Sequence, residues 1–477
     1  MTGPPSRAAA VETHVSTLFF YGDRVLKVHK PVDYGFVSFS DRERRRIDCQ
    51  REVALNRRLA PDVYLGTADV TVDGRPVEHA VVMRRLPPTR SLEALVEAGR
   101  PVTDEVSRVA DTLADFHRGA DHSPAIDAAA TAAALWQRWQ ATEEELGRFV
   151  GPMVDAAAYR EITMLAGRYL HGRERLFARR IAEGQVCDGH GDLQAADVFC
   201  LEDGPRLLDC LEFDDQLRHG DGLADVAFLA ADLESLAAAD AAAVLVARYE
   251  ERAGSPAPSS LLDFYVAARA HVRLLVACLQ AEQGLEHRPP SALLGLALRH
   301  LRRGLPRLVL VGGPQGSGKS TMAGWLATQL GVEVLSTDHL RRQIGPAGYS
   351  KAERATVYHR LVEEARRRLA LGETVVADAT WRDPARRAEA AVVATATTSE
   401  LVQVACHAPP DLLEQRVGER LAAGSGESAA TPALVRSLGS APPWPGALAV
   451  DTSGPPEASR RAAAAALGPL LGRPLSA

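Results

Sequence analysis

The stretch Leu308-Val-Leu-Val-Gly-Gly-Pro-Gln-Gly-Ser-Gly-Lys-Ser-Thr321 reads as a short buried strand that runs into a glycine loop and then into a helix. From Gly313 to Ser320 it fits the pattern GxxxxGK[ST]. Phosphate binding needs the parts in this order. Glycines let the backbone curl until successive N–H groups point inward, and the helix that follows aims its positive end at the anion. Gly313, Pro314, Gln315, Gly316, Ser317, Gly318, Lys319, Ser320 and Thr321 are therefore expected to hold a nucleoside triphosphate. Lys319 would reach the β- and γ-phosphates, and Ser320 would ligate Mg²⁺.

After this loop the pattern alternates strand and helix, which implies a parallel sheet with crossover connections. Strands are expected near 332–335, 374–378, 401–406 and 448–451. Asp378 ends its strand, where a carboxylate holds Mg²⁺ through water. Asp338 ends the strand before, with Arg341 one helical turn on. Arg416 and Arg420 share a helix face at i and i+4, just before a loop at 422–427, which reads as a lid that swings two cations over the phosphates.

The chain has 477 residues, too many for one ordinary domain. Its hydrophobic content of 46% predicts a folded protein, and the net charge of -6 gives no electrostatic case for nucleic acid or an anionic membrane. No apolar run approaches the roughly 20 residues of a membrane span. The cysteines at 49, 187, 200, 210, 278 and 406 lack CxxC spacing and read as small buried hydrophobes, which suits a reducing cytoplasm. Arg288-Pro-Pro290 reads as the boundary between domains at 1–290 and 291–477, with a connecting helix after it.

Lysine usage narrows the search. Of 55 basic residues only Lys27, Lys30, Lys319 and Lys351 are lysine, and asparagine occurs once, at Asn56. Where lysine persists in so Arg-rich a chain, a compact ammonium on a flexible stem is required, as at a phosphate. Lys27 lies in the second of two β-rich runs joined by Gly22-Asp23, a hairpin signal, and shares a strand face with Val25 and His29. A helix is expected over 41–59. Glu52 falls on its apolar stripe with Leu55 and Leu59, so it needs a cationic partner, and a strand lysine is the natural one. From 91 to about 184 the chain reads as helical. His117 within it is expected to pack between helices.

A second constellation is Cys187-Asp-Gly-His-Gly-Asp-Leu-Gln-Ala-Ala-Asp-Val-Phe-Cys-Leu201, followed by a turn and Arg206-Leu-Leu-Asp-Cys-Leu-Glu-Phe213. Two short strands flank the turn, with Asp192 and Asp197 before the hairpin and Asp209 at the end of its second strand. Such a set of carboxylates repels itself unless cations neutralise it. Phosphoryl transfer supplies Mg²⁺ and leaves one carboxylate free to accept the acceptor's proton.

His190-Gly-Asp-Leu193, the spacing from Asp192 to Asp197, and Leu208-Asp209 resemble the catalytic loop and metal-binding strand of the aminoglycoside phosphotransferase branch of the protein-kinase-like fold. That resemblance implies that Asp192 is the catalytic base, that Asp197 and Asp209 ligate Mg²⁺, and that Lys27 pairs with Glu52 while contacting the α- and β-phosphates. Asp221 and Asp225 match the acidic pair that supports the loop. Across both halves the chain resembles a bacterial bifunctional family that fuses such a domain to a P-loop kinase-like domain. Lys30-Pro-Val-Asp-Tyr-Gly-Phe36, Leu55-Asn-Arg-Arg-Leu-Ala60 and Glu212-Phe-Asp-Asp215 add to the match. The implied fold is an α+β protein-kinase-like domain followed by an α/β P-loop domain similar to gluconate kinases, where Asp338 and Arg341 would bind the acceptor. Two positions depart from the kinase pattern. Asp197 stands where Asn is usual, and no GxGxxG precedes Lys27, so 13–16 is expected to cover the phosphates.

The expected activity is ATP-dependent phosphorylation of a small hydroxylated molecule, with ATP and Mg²⁺ as cofactors and no nucleic-acid or membrane partner. The same residues leave a reading of another class, a regulatory ATP-binding protein with a degenerate N-terminal domain.

Overall fold

The computed structural model describes residues 9–12, 15–32, 39–285, 288–344, 351–423, 431–438 and 442–476. The chain divides into two compact units, residues 1–135 with 179–257 and residues 136–178 with 258–477.

The first unit is built on an antiparallel sheet of β1 (Ala9–Glu12), β2 (Ser16–Tyr21), β3 (Arg24–His29), β4 (Tyr64–Val72) and β5 (Arg75–Arg84), in the order β1-β2-β3-β5-β4. The hairpin at Gly22-Asp23 is present, and Gly22 takes φ 57°, which a residue with a side chain rarely adopts. Helix α1 (Arg42–Asn56) begins at Asp41, whose carboxylate accepts from the Glu43 N–H. Its Cys49 and Val53 pack with Val63, Tyr64, Val81 and Leu208 in one core. The chain then runs through α2 (Leu92–Glu97), α3 (Thr103–Gly119), α4 (Pro124–Ala129), α5 (Ala132–Leu146), α6 (Ala156–His171) and α7 (Glu174–Ala182), the helical stretch expected from the sequence. Strand β6 (Val186–Asp188) pairs with β9 (His219–Asp221), and between them in the chain lies the hairpin of β7 (Val198–Leu201) and β8 (Gly204–Leu207). Helices α8 (Gly222–Ser235) and α9 (Ala239–Ala253) complete this unit.

The second unit contains α10 (Ser259–Glu282), α11 (Pro290–Gly304) and a parallel sheet of β10 (Arg307–Gly312), β11 (Val334–Ser336), β12 (Val375–Asp378), β13 (Glu400–His407) and β14 (Leu448–Asp451). The order is β11-β12-β10-β13-β14, with α12 (Lys319–Leu330), α13 (Thr337–Ile344), α14 (Lys351–Ala370), α15 (Pro384–Ala396), α16 (Pro410–Ala422), α17 (Pro432–Leu438) and α18 (Pro456–Leu470) as further helices. All residues of β10 are buried, because both faces of this central strand are covered. Leu308 and Leu310 join a core with Leu361, Leu369 and Trp381, whereas Val309 and Val311 join another with Met322, Leu326 and Leu467. Side chains alternate between the faces, so a strand covered on both reads as an unbroken apolar run.

A single division at residue 290 does not follow these units. Residues 136–178 and 258–290 lie with the parallel sheet, held there by buried polar contacts. Arg173 is fully buried and donates to Thr397 O at 2.6 Å and Gly172 O at 2.8 Å. Burial pulls its pKa down to about 10. Thr398 Oγ1 donates to Arg168 O at 2.7 Å, and Ser260 Oγ to Gly372 O at 2.7 Å. The expected connecting helix is packed too, since Asp263 accepts from Arg303 Nη2 at 2.5 Å and pairs with His300 Nδ1 at 2.8 Å, joining α10 to α11. All six cysteines are buried thiols, and no described helix is long and apolar enough to cross a membrane.

Replacing Arg173 with Met keeps much of its volume but strips the buried Thr397 carbonyl and the half-buried Gly172 carbonyl of their donor. The expected loss is about 1–3 kcal/mol, read as an earlier urea unfolding midpoint of the second unit. An unchanged midpoint would show that these contacts do not hold the helices to the sheet.

Candidate functional site

In the first unit the site grows from a strand, a helix end and a loop. Alternation on β3 turns Lys27 and His29 toward α1. Lys27 Nζ lies 2.9 Å from Glu52 Oε1 and 2.7 Å from Asp209 Oδ1, and His29 Nε2 lies 3.3 Å from Glu52 Oε2. Glu52 is fully buried and Lys27 nearly so, while the Asp209 side chain is 51% exposed. The pair thus sits at the inner wall of an open site. Burial works against the charge on Lys27, but Asp209 and Glu52 outweigh it and hold its pKa well above the usual lysine value. Contact with Lys27 lowers Asp209. Burial together with Asp209 and Asp192 pushes Asp197 far above the ordinary carboxylate range. Asp192 and Asp209 thus both act on Asp197 through their charge, and carboxylate oxygens are the donors Mg²⁺ takes, but among the described residues the group whose ligand atoms all converge within 4.8 Å is His29, Glu52 and Glu212.

The loop that carries Asp192 is pinned from below. Asp225 accepts from His190 N at 2.7 Å and Gly191 N at 2.9 Å, and its other contact is His117 Nε2 at 3.0 Å. His117 is buried between helices, with Tyr249 OH on its Nδ1 at 2.9 Å, so it orients Asp225. Asp221 is paired at 2.7 and 2.8 Å with Arg180 and caps α8. Strand β8 ends at Leu207, two residues before the position expected, and His190 Nε2 lies 3.0 Å from Leu208 O, which joins the loop to the segment that carries Asp209. Of the segment expected to cover the phosphates, 13–14 lies outside the described residues. Ser16 is buried with its hydroxyl 3.2 Å from His29 Nδ1, so that hydroxyl faces inward. Residues 33–36 of the Lys30–Phe36 segment also lie outside the described residues.

In the second unit the glycine loop joins β10 to α12. Gly316 has φ 83°, and a Cβ there would come 2.6 Å from Leu413 O, so glycine is required for conformation and for space. Pro314 and Gln315 form the half-exposed tip, Ser317 is buried, Gly313 and Gly318 take positive φ, and Lys319, Ser320 and Thr321 open the helix. Ser320 Oγ donates to Asp378 Oδ2 at 2.7 Å, and Asp378 ends β12 beside Val311 of the central strand. This hydroxyl and carboxylate are oxygen donors that also fit Mg²⁺. A cleft of about 1200 Å³ gathers Lys319, Ser320, Asp338, Asp378 and Arg420. Asp338 accepts from Arg341 Nη1 at 2.6 Å.

Arg416 does not stand with Arg420. Its Nη2 donates to Thr452 O at 2.8 Å and its Nη1 to Gly316 O at 3.4 Å, so it braces the loop from the β14 side. Thr452, which sequence reasoning missed, places its hydroxyl 2.7 Å from Ser317 O and 2.8 Å from His407 O. Of the expected lid loop at 422–427, residues 424–427 lie outside the described residues. Also missed were Asn56 and Tyr64, which meet the backbone at Cys210 and Asp209, and Asp232, whose carboxylate accepts from Ala195 N at 2.8 Å beside Asp197.

Residues 308–438 match the AAA domain family. An uncharacterized protein of Mycobacterium tuberculosis is 39% identical over 465 residues, covering 94% of this chain and 93% of that protein. The chain belongs to the same family as that mycobacterial protein. Among solved structures, a choline/ethanolamine kinase family protein from Mesorhizobium loti is similar, with 17% identity, 63% of this chain and 87% of that chain covered, and a TM-score of 0.40. A gluconokinase from Sinorhizobium meliloti is similar at 21% identity over 35% of this chain and 95% of its own, with a TM-score of 0.29.

Glu212 gives the first site a pH signature. It is buried, and burial with the nearby Glu52 charge raises it from the ordinary 4.5 to about 8. The folded chain therefore keeps a proton that the unfolded chain releases. This group's contribution is full below about pH 4.5 and is lost as pH rises toward 8. Glu212→Gln, which keeps the shape and cannot ionise, is expected to stabilise the first unit at pH 8 and to change it little at pH 5. Equal melting shifts at both pH values would mean that Glu212 is ionised throughout.

Proposed function

We propose that the chain is an ATP-dependent phosphotransferase with a nucleotide site in each unit, acting on a small hydroxylated molecule. The observation that carries this is the single ammonium of Lys27 held at 2.9 and 2.7 Å between a buried carboxylate and an open one. Glu52 fixes the stem from inside, so the charge stays at the mouth of the site where α- and β-phosphates would lie. Asp192, on the loop braced by Asp225, is the group that accepts the acceptor hydroxyl's proton. Asp197 and Asp209 in the first unit, and Ser320 and Asp378 in the second, are the residues that would hold Mg²⁺. When bound, the metal would neutralise phosphate charge. In the second unit the glycine loop and Lys319 cradle the triphosphate, Arg420 adds a cation from the cleft wall, and Arg416 keeps the loop in shape. Asp338, with Arg341, faces the acceptor.

Calorimetric titration of the full chain with a non-hydrolysable ATP analogue and Mg²⁺ tests this. Two nucleotides per chain are expected, falling to one in Lys319→Ala. Asp192→Asn should keep both and lose acceptor-dependent ADP release at the first site. One nucleotide in wild type, with all binding lost in Lys319→Ala, would remove the first unit from the account.

A further inference from the structure

The only asparagine in 477 residues lies at the end of the helix that carries Glu52. Elsewhere in this composition the caps and turns that asparagine often serves are left to other residues, so the one that remains marks a place where substitutes fail. Asn56 is fully buried. Its Oδ1 accepts from Cys210 N at 2.8 Å, while its Nδ2 donates to Glu52 O at 2.9 Å and reaches Cys210 O at 3.4 Å. One amide thus meets both polar backbone groups of Cys210, as a neighbouring strand would. Asp lacks the donor, Ser and Thr have a single oxygen, and Gln is one methylene too long for the same reach. A carboxylate at this position would also join Glu52, Asp209 and Glu212 in a crowded field of negative charge.

The residue next to Cys210 explains why the clamp is needed. Asp209 takes φ 65°, a left-handed conformation that must be held by its surroundings. Its N–H donates to Tyr64 OH at 3.1 Å, the Leu208 carbonyl meets His190 Nε2 at 3.0 Å, and Leu211 N donates to His190 O at 3.2 Å. The backbone on both sides of Asp209 is therefore fixed by groups from other segments, and Asn56 supplies the contact made from α1. Arg58, two residues on, donates to Asp188 O at 3.0 Å and Gly189 O at 2.9 Å, so the same helix end also grips the start of the Asp192 loop.

We propose that Asn56 is the positioning residue that sets Asp209 as a metal ligand, by locking the Cys210 backbone to the helix that fixes Lys27 through Glu52. The partner of the phosphate-facing lysine and the metal carboxylate are then placed by one rigid element. This inference rests on the first unit being a nucleotide site.

The test uses the full-length Lys319→Ala chain, in which the first unit is the remaining nucleotide site. Asn56→Ser and Asn56→Leu are compared with the parent for the Mg²⁺ concentration that half-saturates binding of the ATP analogue. Loss of an outer contact to a metal ligand typically costs about 10–100-fold in metal affinity, so a rise of about tenfold or more is expected. In the metal-free protein, hydrogen exchange at the Cys210 amide should quicken in both variants. A lower melting temperature with the Mg²⁺ half-saturation unchanged in Asn56→Ser would overturn the inference while leaving the nucleotide site in place. Should Asn56→Leu fail to fold, the serine variant decides alone. Absence of any nucleotide binding in the Lys319→Ala parent would overturn both the site and this inference.

Discussion

A carboxylate taken fully out of water is stable only with a cation against it, and in the first unit that requirement fixes everything near the site. Glu52 is such a carboxylate, and Lys27 is its cation. The pair ties α1 to the middle of the sheet. It also leaves the ammonium within reach of the half-exposed Asp209, which meets it at 2.7 Å. Breaking a buried pair of this kind by removing one partner costs about 3–5 kcal/mol, because the other is left charged and dry. The geometry of α1 follows from this constraint, and the placing of Asp209 follows from α1 through Asn56.

In the proposed reading the second unit would meet the same anion by other means. Its loop uses backbone N–H groups and a helix N-terminus, which need little side-chain charge, so a single lysine suffices. The cost there is conformational. Gly316 has no room for a side chain, and Arg416 and Thr452 brace the loop by hydrogen bonds to the carbonyls of Gly316 and Ser317. One unit positions charge with a buried ion pair, and the other positions dipoles with a close-packed turn.

The parts of this plan set by local pattern were legible in the sequence. Strand β10 read as a continuous apolar run because both its faces are covered, and β14 fell on the residues expected for it. The hairpin at Gly22-Asp23 likewise follows from short-range rules; Glu52 is buried as expected, but beside Cys49, Val53 and Asn56, because α1 ends at Asn56 and does not reach Leu59. Strand β4 was missed because its register shifts between Tyr64 and Gly66 and most of its residues are exposed, which blurs the alternation. The backbone clamps were hidden for a different reason. Asn56 meets Cys210 across 154 positions, and nothing in either segment announces the other. The lone asparagine was the available signal, and it pointed to a site without saying what it touches. The helices at 136–178 gave no sign that they pack with the parallel sheet, because an amphipathic helix does not record which partner covers it.

The scarcity of lysine allows the two-site account to be tested in one experiment. An acyl-phosphate derivative of ATP transfers its acyl group to an amine held beside the phosphates, and the tagged residues can be read by mass spectrometry of the full chain. The account predicts tags on both Lys27 and Lys319, each suppressed by excess ATP and Mg²⁺, with no suppressible tag on Lys30, which pairs with Glu12 at 3.0 Å on the exposed edge of the sheet. A suppressible tag on only one of Lys27 and Lys319 would contradict it.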